Sequence, residues 1–419
     1  MDIAAQMKGM AVRAKKAGQG LAKTRGVDRA AALVGLAEAL VASQDEIMAA
    51  NAKDLEAAQK AGLDPARLDR LRITPVTVES MAAACRHVAG LSDPVGEIEY
   101  MWKRPNGLLV GKMRIPLGVV AIIYESRPNV TIDAAILCLK AGNAVVLRGG
   151  SEAWHSNMAL GGLLSRALED AGLPGEAVQI VPTTDRQAVS ALLTLDEYID
   201  VVIPRGGEGL IRAVTSQATM PVLKHYKGVC HVFVDRFGDL NQALDIVYNA
   251  KVQRPGVCNA LECLLVHEEV ARTFLPQLAE ILAPAGVRFK ACPVSLPLLG
   301  TQAAPVEDGD WGREFLSLEM AVLVVPSQDA AQNHIARYGS NHTESIVTQD
   351  HGRAMRFIRE VDASAVMINA STRFNDGGEL GLGAEIGIST SKIHAYGPMG
   401  VKELTATKFV VFGEGQVRE

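Results

Sequence analysis

Gly118-Val119-Val120-Ala121-Ile122-Ile123, a helical stretch over 131–139, and then Ala144-Val145-Val146-Leu147-Arg148 decide the architecture. The two outer runs are apolar and rich in β-branched residues, the pattern of strands buried on both faces. The middle stretch ends at Ala141-Gly142-Asn143, where a glycine supplies the left-handed turn that closes a helix. Strands joined through a helix pair in parallel. The rhythm continues with a helix over 153–170, a strand over 177–181, a helix over 186–193 and a strand over 200–203. A parallel sheet flanked by helices follows, with ligands expected beyond the C-terminal ends of its strands. Arg148-Gly149-Gly150-Ser151 and Pro204-Arg205-Gly206-Gly207-Glu208-Gly209 stand at those ends. Each offers backbone N–H groups and an arginine to a phosphate, and each serves equally well as a plain connecting turn.

Outward from this core, residues 1–95 read as helical, with Leu33, Leu36, Leu40 and Ile47 on one packing face. Two apolar runs, 97–102 and 108–115, then flank Pro105-Asn106-Gly107 and predict a β-hairpin. Its Tyr100, Trp102, Leu109 and Val110 make a face with nothing nearby to cover it, which suggests an oligomerisation arm. The tail, Lys408-Phe409-Val410-Val411-Phe412, reads as a strand able to pair with that hairpin.

The chain has 419 residues, 48% of them apolar, with 39 glycines and a net charge of −5. Two or three globular domains fit this length. No basic block points to nucleic acid, and no apolar run is long enough for a signal peptide or a membrane span. Cysteines 85, 138, 230, 258, 263 and 292 show no CxxC pairing, so a cytoplasmic protein with reduced thiols is expected. No histidine falls at zinc-ligand spacing and no metal is expected.

A second α/β unit starts after Cys230-His231-Val232-Phe233-Val234, and includes Leu316-Ser317-Leu318-Glu319-Met320 and a strand over 365–369. It carries Gln253-Arg254-Pro255-Gly256-Val257-Cys258-Asn259-Ala260-Leu261-Glu262. A cysteine after a Pro-Gly turn is either a buried packing residue or a thiol held out beside backbone N–H groups. Gly-x-Gly-x-x-Gly is absent; Gly381-Leu382-Gly383-Ala384-Glu385-Ile386-Gly387 has the wrong spacing and no preceding strand. A bound nicotinamide nucleotide would therefore use a non-standard Rossmann mode.

Pro116-Leu117-Gly118-Val119-Val120 and residues 141–147 make the whole chain resemble the aldehyde dehydrogenase superfamily. Tyr124-Glu125-Ser126-Arg127-Pro128-Asn129-Val130-Thr131, Ile203-Pro204-Arg205-Gly206-Gly207, the stretch 369–377 and the stretch 383–390 narrow the resemblance to its gamma-glutamyl phosphate reductase family. The resemblance implies an aldehyde dehydrogenase-like α/β fold: a Rossmann-like NADPH-binding domain (1–95 and 118–228), an α/β catalytic domain with the cysteine nucleophile (229–392), and a small β oligomerisation arm (96–117 and 405–419). It implies NADPH-dependent reduction of L-glutamate 5-phosphate to the semialdehyde in proline biosynthesis, a homo-oligomer, and glutamate 5-kinase as partner. Cys258 becomes the nucleophile; Arg148, with Gly149 and Ser151, falls near the NADPH 2′-phosphate; Glu319 falls at the nicotinamide ribose. Arg205, Gly206 and Gly207 form a second candidate cofactor turn. One departure stands out: His394-Ala395-Tyr396-Gly397-Pro398 has Tyr396 where the family commonly has arginine.

The chemistry asks for a thiolate, an oxyanion site, a cation for phosphate and a hydride donor. The Cys258 N–H and the Asn129 amide are the candidate oxyanion donors, although an Asn in a Pro-Asn turn also serves structure alone. Arg127, Arg254 and Arg373 are candidates for the phosphate or the substrate carboxylate. Lys224-His225-Tyr226-Lys227-Gly228 lacks the glutamate with which hydrolytic aldehyde dehydrogenases activate water, which favours reduction of an acyl phosphate. The alternatives are an NAD(P)-dependent enzyme oxidising a free aldehyde, and a non-catalytic scaffold that keeps the fold.

Overall fold

A computed structural model describes residues 2–125 and 127–418; Ser126, inside the 124–131 motif, lies outside the described residues, as does the side chain of Ala66. The chain divides into two compact units. One comprises Met1–Lys224, Leu382–Gly387 and Met399–Glu419, the other His225–Gly381 and Ile388–Pro398.

The first unit begins with helices α1 (Ile3–Leu21), α2 (Gly26–Ala42), α3 (Gln44–Lys60), α4 (Pro65–Leu71) and α5 (Pro75–Gly90). Their starts are chemically marked: the Asp2 side chain accepts from Ala4 N–H, and Thr74 and Thr77 form a capping box around Pro75. The hairpin follows as β1 (Ile98–Lys103) and β2 (Leu109–Pro116), with Gly107 at φ 91° in its turn. The tail strand Thr405–Phe412 pairs antiparallel with β2, from Thr405 opposite Pro116 to Phe412 opposite Leu109. The resulting three-stranded sheet leaves Tyr100, Phe409, Val411 and Phe412 exposed.

A parallel sheet of β3 (Val119–Tyr124), β4 (Ala144–Arg148), β5 (Val178–Ile180) and β6 (Val201–Arg205) forms the centre, in the order β5-β4-β3-β6. Every residue of β3 is buried, as its unbroken apolar run requires. Helix α6 (Asn129–Lys140) starts two residues before the expected 131 because Pro128, at φ −60°, already adopts helical geometry as its N-cap. Helices α7 (Trp154–Asp170), α8 (Gln187–Leu192) and α9 (Glu208–Gln217) complete the alternation. Asn143 ties sheet to tail: its side chain accepts from Gly118 N–H at 2.9 Å and donates to the Leu404 carbonyl at 2.8 Å.

The second unit is built on β7 (Cys230–Val234), α10 (Leu240–Val252), β8 (Leu261–His267), α11 (Glu268–Leu282), β9 (Arg288–Ala291), β10 (Ala303–Pro305), β11 (Glu319–Val325), α12 (Gln328–Tyr338), β12 (Thr343–Val347), α13 (His351–Glu360) and β13 (Ala365–Ile368). These strands form a parallel sheet in the order β10-β9-β11-β8-β7-β12-β13. Val232, Leu264, Phe274, Phe289 and Val322 fill its core. The turn that carries Cys258 enters the central strand β8, so the sheet fixes where the thiol stands. Among the described residues, no helix is long and apolar enough to cross a membrane.

Candidate active site

Cys258 is half-buried, whereas Cys85, Cys138, Cys230, Cys263 and Cys292 are all buried free thiols. Burial pushes the Cys85 thiol up to about 12 and raises Cys138 and Cys230 as well, which disfavours their thiolates. The Cys258 turn is clamped at both ends. Lys251 and Glu262, each fully buried, pair at 2.8 Å, and Lys251 also donates to the Leu261 carbonyl. Burial pushes the Glu262 carboxyl up to about 7 even with Lys251 beside it, so the pair carries a real desolvation cost. Asn259 donates to the Asn375 carbonyl at 2.9 Å, and Thr372 Oγ1 donates back to the Asn259 carbonyl at 2.7 Å. The Cys258 carbonyl accepts from Cys230 Sγ at 3.1 Å, and Gly228 lies so close that a Cβ there would stand 1.9 Å from that oxygen.

Two imidazoles flank the thiol. Cys258 Sγ and one ring nitrogen each of His225 and His342 lie within 4.8 Å of one another. His225 Nδ1 sits 2.8 Å from the Ile388 carbonyl. A carbonyl only accepts, so Nδ1 carries a proton and Nε2 is the ring nitrogen left for the thiol. His342 is fully buried, and burial pushes its pKa down to about 3, which keeps it neutral. His342 escaped the sequence reading because it is distant in the chain from Cys258 and sits in no motif. Spacing arguments also miss a second trio, buried His231, Cys263 and His334, whose candidate ligand atoms lie within 4.8 Å of one another. There His231 Nδ1 meets Glu344 at 2.9 Å and Cys263 Sγ meets His334 Nε2 at 3.5 Å.

The arginines differ. Arg373 is half-buried and donates to Gln253 Oε1 at 2.8 Å; burial pushes its pKa down, and the neighbouring Arg254 adds to that despite Asp376. Arg254 is exposed. A pair of adjacent guanidinium groups beside a thiol attracts an anion. Arg127 lies in the turn after β3, its carbonyl accepting from Val130 N–H at 3.1 Å. Glu319 opens β11 with Lys290 4.0 Å away. Tyr396 donates to Asp362 at 3.1 Å, a carboxylate that Lys392 also pairs with. Burial and Asp362 push its phenol up to about 12, so Tyr396 is a neutral partner of an acid and supplies no positive charge.

In the first unit, Arg148 closes β4. Its Nη1 and Nη2 donate to the carbonyls of Gly149 (2.9 Å) and Thr184 (3.2 Å), and its Nε is buried without a partner. Its hydrogen-bond partners are neutral; burial pushes its pKa down and the Glu152 carboxylate opposes that. Gly149 needs its missing side chain, since a Cβ would meet Asn157 Nδ2 at 2.1 Å; Ser151 is exposed where the next turn of helix begins. The Arg205-Gly206-Gly207 turn differs from expectation: Gly207 N–H donates to the Glu125 carboxylate at 3.1 Å, so an acid already holds the amide that the sequence reading offers to phosphate. Asn129, the first residue of α6, donates from Nδ2 to Asp133 Oδ2 at 3.0 Å, which fixes the amide plane.

The aldehyde dehydrogenase family model matches residues 3–288. The chain is 66% identical, over the full length of both, to gamma-glutamyl phosphate reductase of Nitratidesulfovibrio vulgaris (strain DP4). It belongs to the gamma-glutamyl phosphate reductase branch of the aldehyde dehydrogenase family. The crystal structure of that reductase from Thermotoga maritima superposes with a TM-score of 0.96 at 44% identity, covering 99% of this chain and 100% of that one. The Saccharomyces cerevisiae enzyme aligns over 98% of both chains at 28% identity, with a TM-score of 0.54.

Proposed function

We propose that the chain reduces L-glutamate 5-phosphate to L-glutamate 5-semialdehyde and phosphate in proline biosynthesis, with NADPH as donor and a Cys258 thioester as intermediate. The observation that carries this reading is the half-buried Cys258 beside two imidazoles, in a chain two-thirds identical to a named reductase. His225 Nε2 takes the Cys258 proton, and the buried neutral His342 adds no competing positive charge. The thiolate attacks the acyl carbon, the Cys258 N–H and the Asn129 amide receive the oxyanion, and phosphate leaves toward Arg373 and Arg254. Arg127 is held for the substrate carboxylate.

The buried Arg148 Nε, which has no hydrogen-bond partner, fits a phosphate, so Arg148, Gly149 and Ser151 are assigned to the NADPH 2′-phosphate and Glu319 to the nicotinamide ribose. Held there, the nucleotide would supply the hydride; the Cys258 N–H and Asn129 would then hold the hemithioacetal oxyanion while it collapses to the aldehyde and returns the Cys258 thiolate. Glu125 makes Gly206 and Gly207 a second choice for cofactor phosphate. The exposed Tyr100, Phe409, Val411 and Phe412 support self-association through the three-stranded sheet. An acyl phosphate is short-lived in water, which favours delivery from a glutamate 5-kinase close by.

The test is a coupled assay with freshly made glutamate 5-phosphate, NADPH or NADH, and wild type against Cys258→Ala. NADPH oxidation by the wild type and none by the variant is expected. Oxidation of a free aldehyde to acid without phosphate, in preference to this reaction, would overturn the reading.

A further inference from the structure

We infer that Asp133 is the acceptor for the substrate's α-ammonium group, and so sets the requirement for an amino-acid chain behind the acyl phosphate. The inference rests on the reading of Asn129 as an oxyanion donor. A cavity of about 340 Å³ opens in the first unit, with apolar walls from Val88, Ile136 and Leu137 and polar atoms from Asp133, Glu385 and His87. That is the low end of the ~300–1,000 Å³ typical of small-molecule sites, a size for an amino acid and not for a nucleotide.

Asp133 is the anomaly in it. Among the described residues it makes no ion pair, and its single hydrogen bond comes from the neutral Asn129 amide. A half-buried carboxylate with only an amide for company is costly to ionise. Burial accordingly pushes Asp133 up to about 6, against the opposing pull of Asn129 and the more distant Arg205. A cation entering the cavity removes that cost. The cavity's other carboxylate, Glu385, carries the same sign.

Spacing agrees with the chemistry. Asn129 and Asp133 are one turn apart on one face of α6, where side chains i and i+4 lie about 5–6 Å from each other. In L-glutamate 5-phosphate the acyl carbon and the α-nitrogen are separated by four bonds, about 5 Å when extended at roughly 1.5 Å per bond. The Asn129 amide and the Asp133 carboxylate themselves stand 3.0 Å apart, so one short chain with its acyl oxygen at the amide can bring its ammonium to the carboxylate.

The experiment runs the reaction backwards, with NADP⁺ and inorganic phosphate. It compares L-glutamate 5-semialdehyde with glutarate semialdehyde, which lacks only the amino group, each at its free-aldehyde concentration. Wild type is expected to favour the amino aldehyde in kcat/KM by at least tenfold. Asp133→Asn also loosens Asn129 and so lowers activity on both aldehydes, but it should lose roughly ten- to a hundred-fold more toward the amino aldehyde than toward the other, so that the preference collapses. Equal losses on both aldehydes would make Asp133 a support for Asn129 alone and overturn the subsite. The wild-type arm stands even if the variant does not fold: no preference for the amino aldehyde refutes the inference directly. A wild type inactive on both aldehydes would instead refute the proposed function itself.

Discussion

Gly228→Ala is the most exacting test of how Cys258, the proposed nucleophile, is held. Gly228 sits in the turn before β7, with its N–H donating to Glu314 at 3.0 Å. A Cβ built there lies 1.9 Å from the Cys258 carbonyl oxygen, 2.6 Å from its carbonyl carbon and 2.8 Å from its Cα. All three are backbone atoms, so no rotamer change relieves the overlap. Real Cβ contacts essentially never fall below 3.0 Å, so the Cys258 backbone must retreat by at least the difference, 3.0 − 1.9 = 1.1 Å. Overpacking of this kind costs about 1–3 kcal/mol of stability. A displacement near 1 Å at a reacting group costs on the order of a hundredfold in rate. The assay pairs kcat for NADPH oxidation with a thermal melt: kcat should fall roughly a hundredfold while the protein still unfolds cooperatively, a few degrees lower. A folded Gly228→Ala protein with wild-type kcat would refute the claim that backbone placement of Cys258 limits the chemistry.

Other perturbations follow from the same geometry. Lys251→Met strands Glu262 in the core and should cost about 3–5 kcal/mol in urea unfolding, while Lys251→Met with Glu262→Leu should recover much of it; equal stability of single and double variants would contradict the pairing. Arg148→Ala should raise the KM for NADPH about ten- to a hundred-fold more than that for NADH, the value of a charge-assisted contact of about 1.5–3 kcal/mol; equal effects would move the 2′-phosphate elsewhere. Asp133, raised from 3.8 to about 6, bears a folded-state penalty that is absent below pH 4, grows between 4 and 6, and is complete above 6. Asp133→Asn should therefore stabilise the fold by about 1–3 kcal/mol at pH 8 and by little at pH 4, read from melts across pH. Deleting the tail from Lys408 removes most of the β2 partner strand and should give a smaller, aggregation-prone species by light scattering; an unchanged oligomeric mass would rule out the sheet as the subunit contact.

The sheets were legible in the sequence where local pattern and burial coincide. β3 is an unbroken apolar run rich in β-branched residues and β4 is one as far as its closing Arg148, and the hairpin announces itself through Asn106-Gly107. The start of α6 was misplaced because Pro128 suggests a break while its actual dihedrals begin the helix. The turn that carries Cys258 was legible too, since a Pro-Gly turn before an apolar strand is a local feature. What surrounds it was not. His342 reaches Cys258 only through the parallel placement of β12 beside β7, and Glu125 reaches Gly207 only through the β3–β6 pairing. Asp133 lies inside a helix whose apolar neighbours read as packing, and only the cavity beside it distinguishes it from a surface acid.

The central claim, a covalent intermediate on Cys258, is tested most directly by rapid-quench measurement of phosphate in the absence of NADPH. Wild-type protein mixed with excess glutamate 5-phosphate should release a fast burst of about one phosphate per subunit above the spontaneous background, because acylation needs only the thiolate. Cys258→Ala should show background alone. No burst from a wild type that reduces the substrate once NADPH is added, or an undiminished burst from Cys258→Ala, would contradict the account.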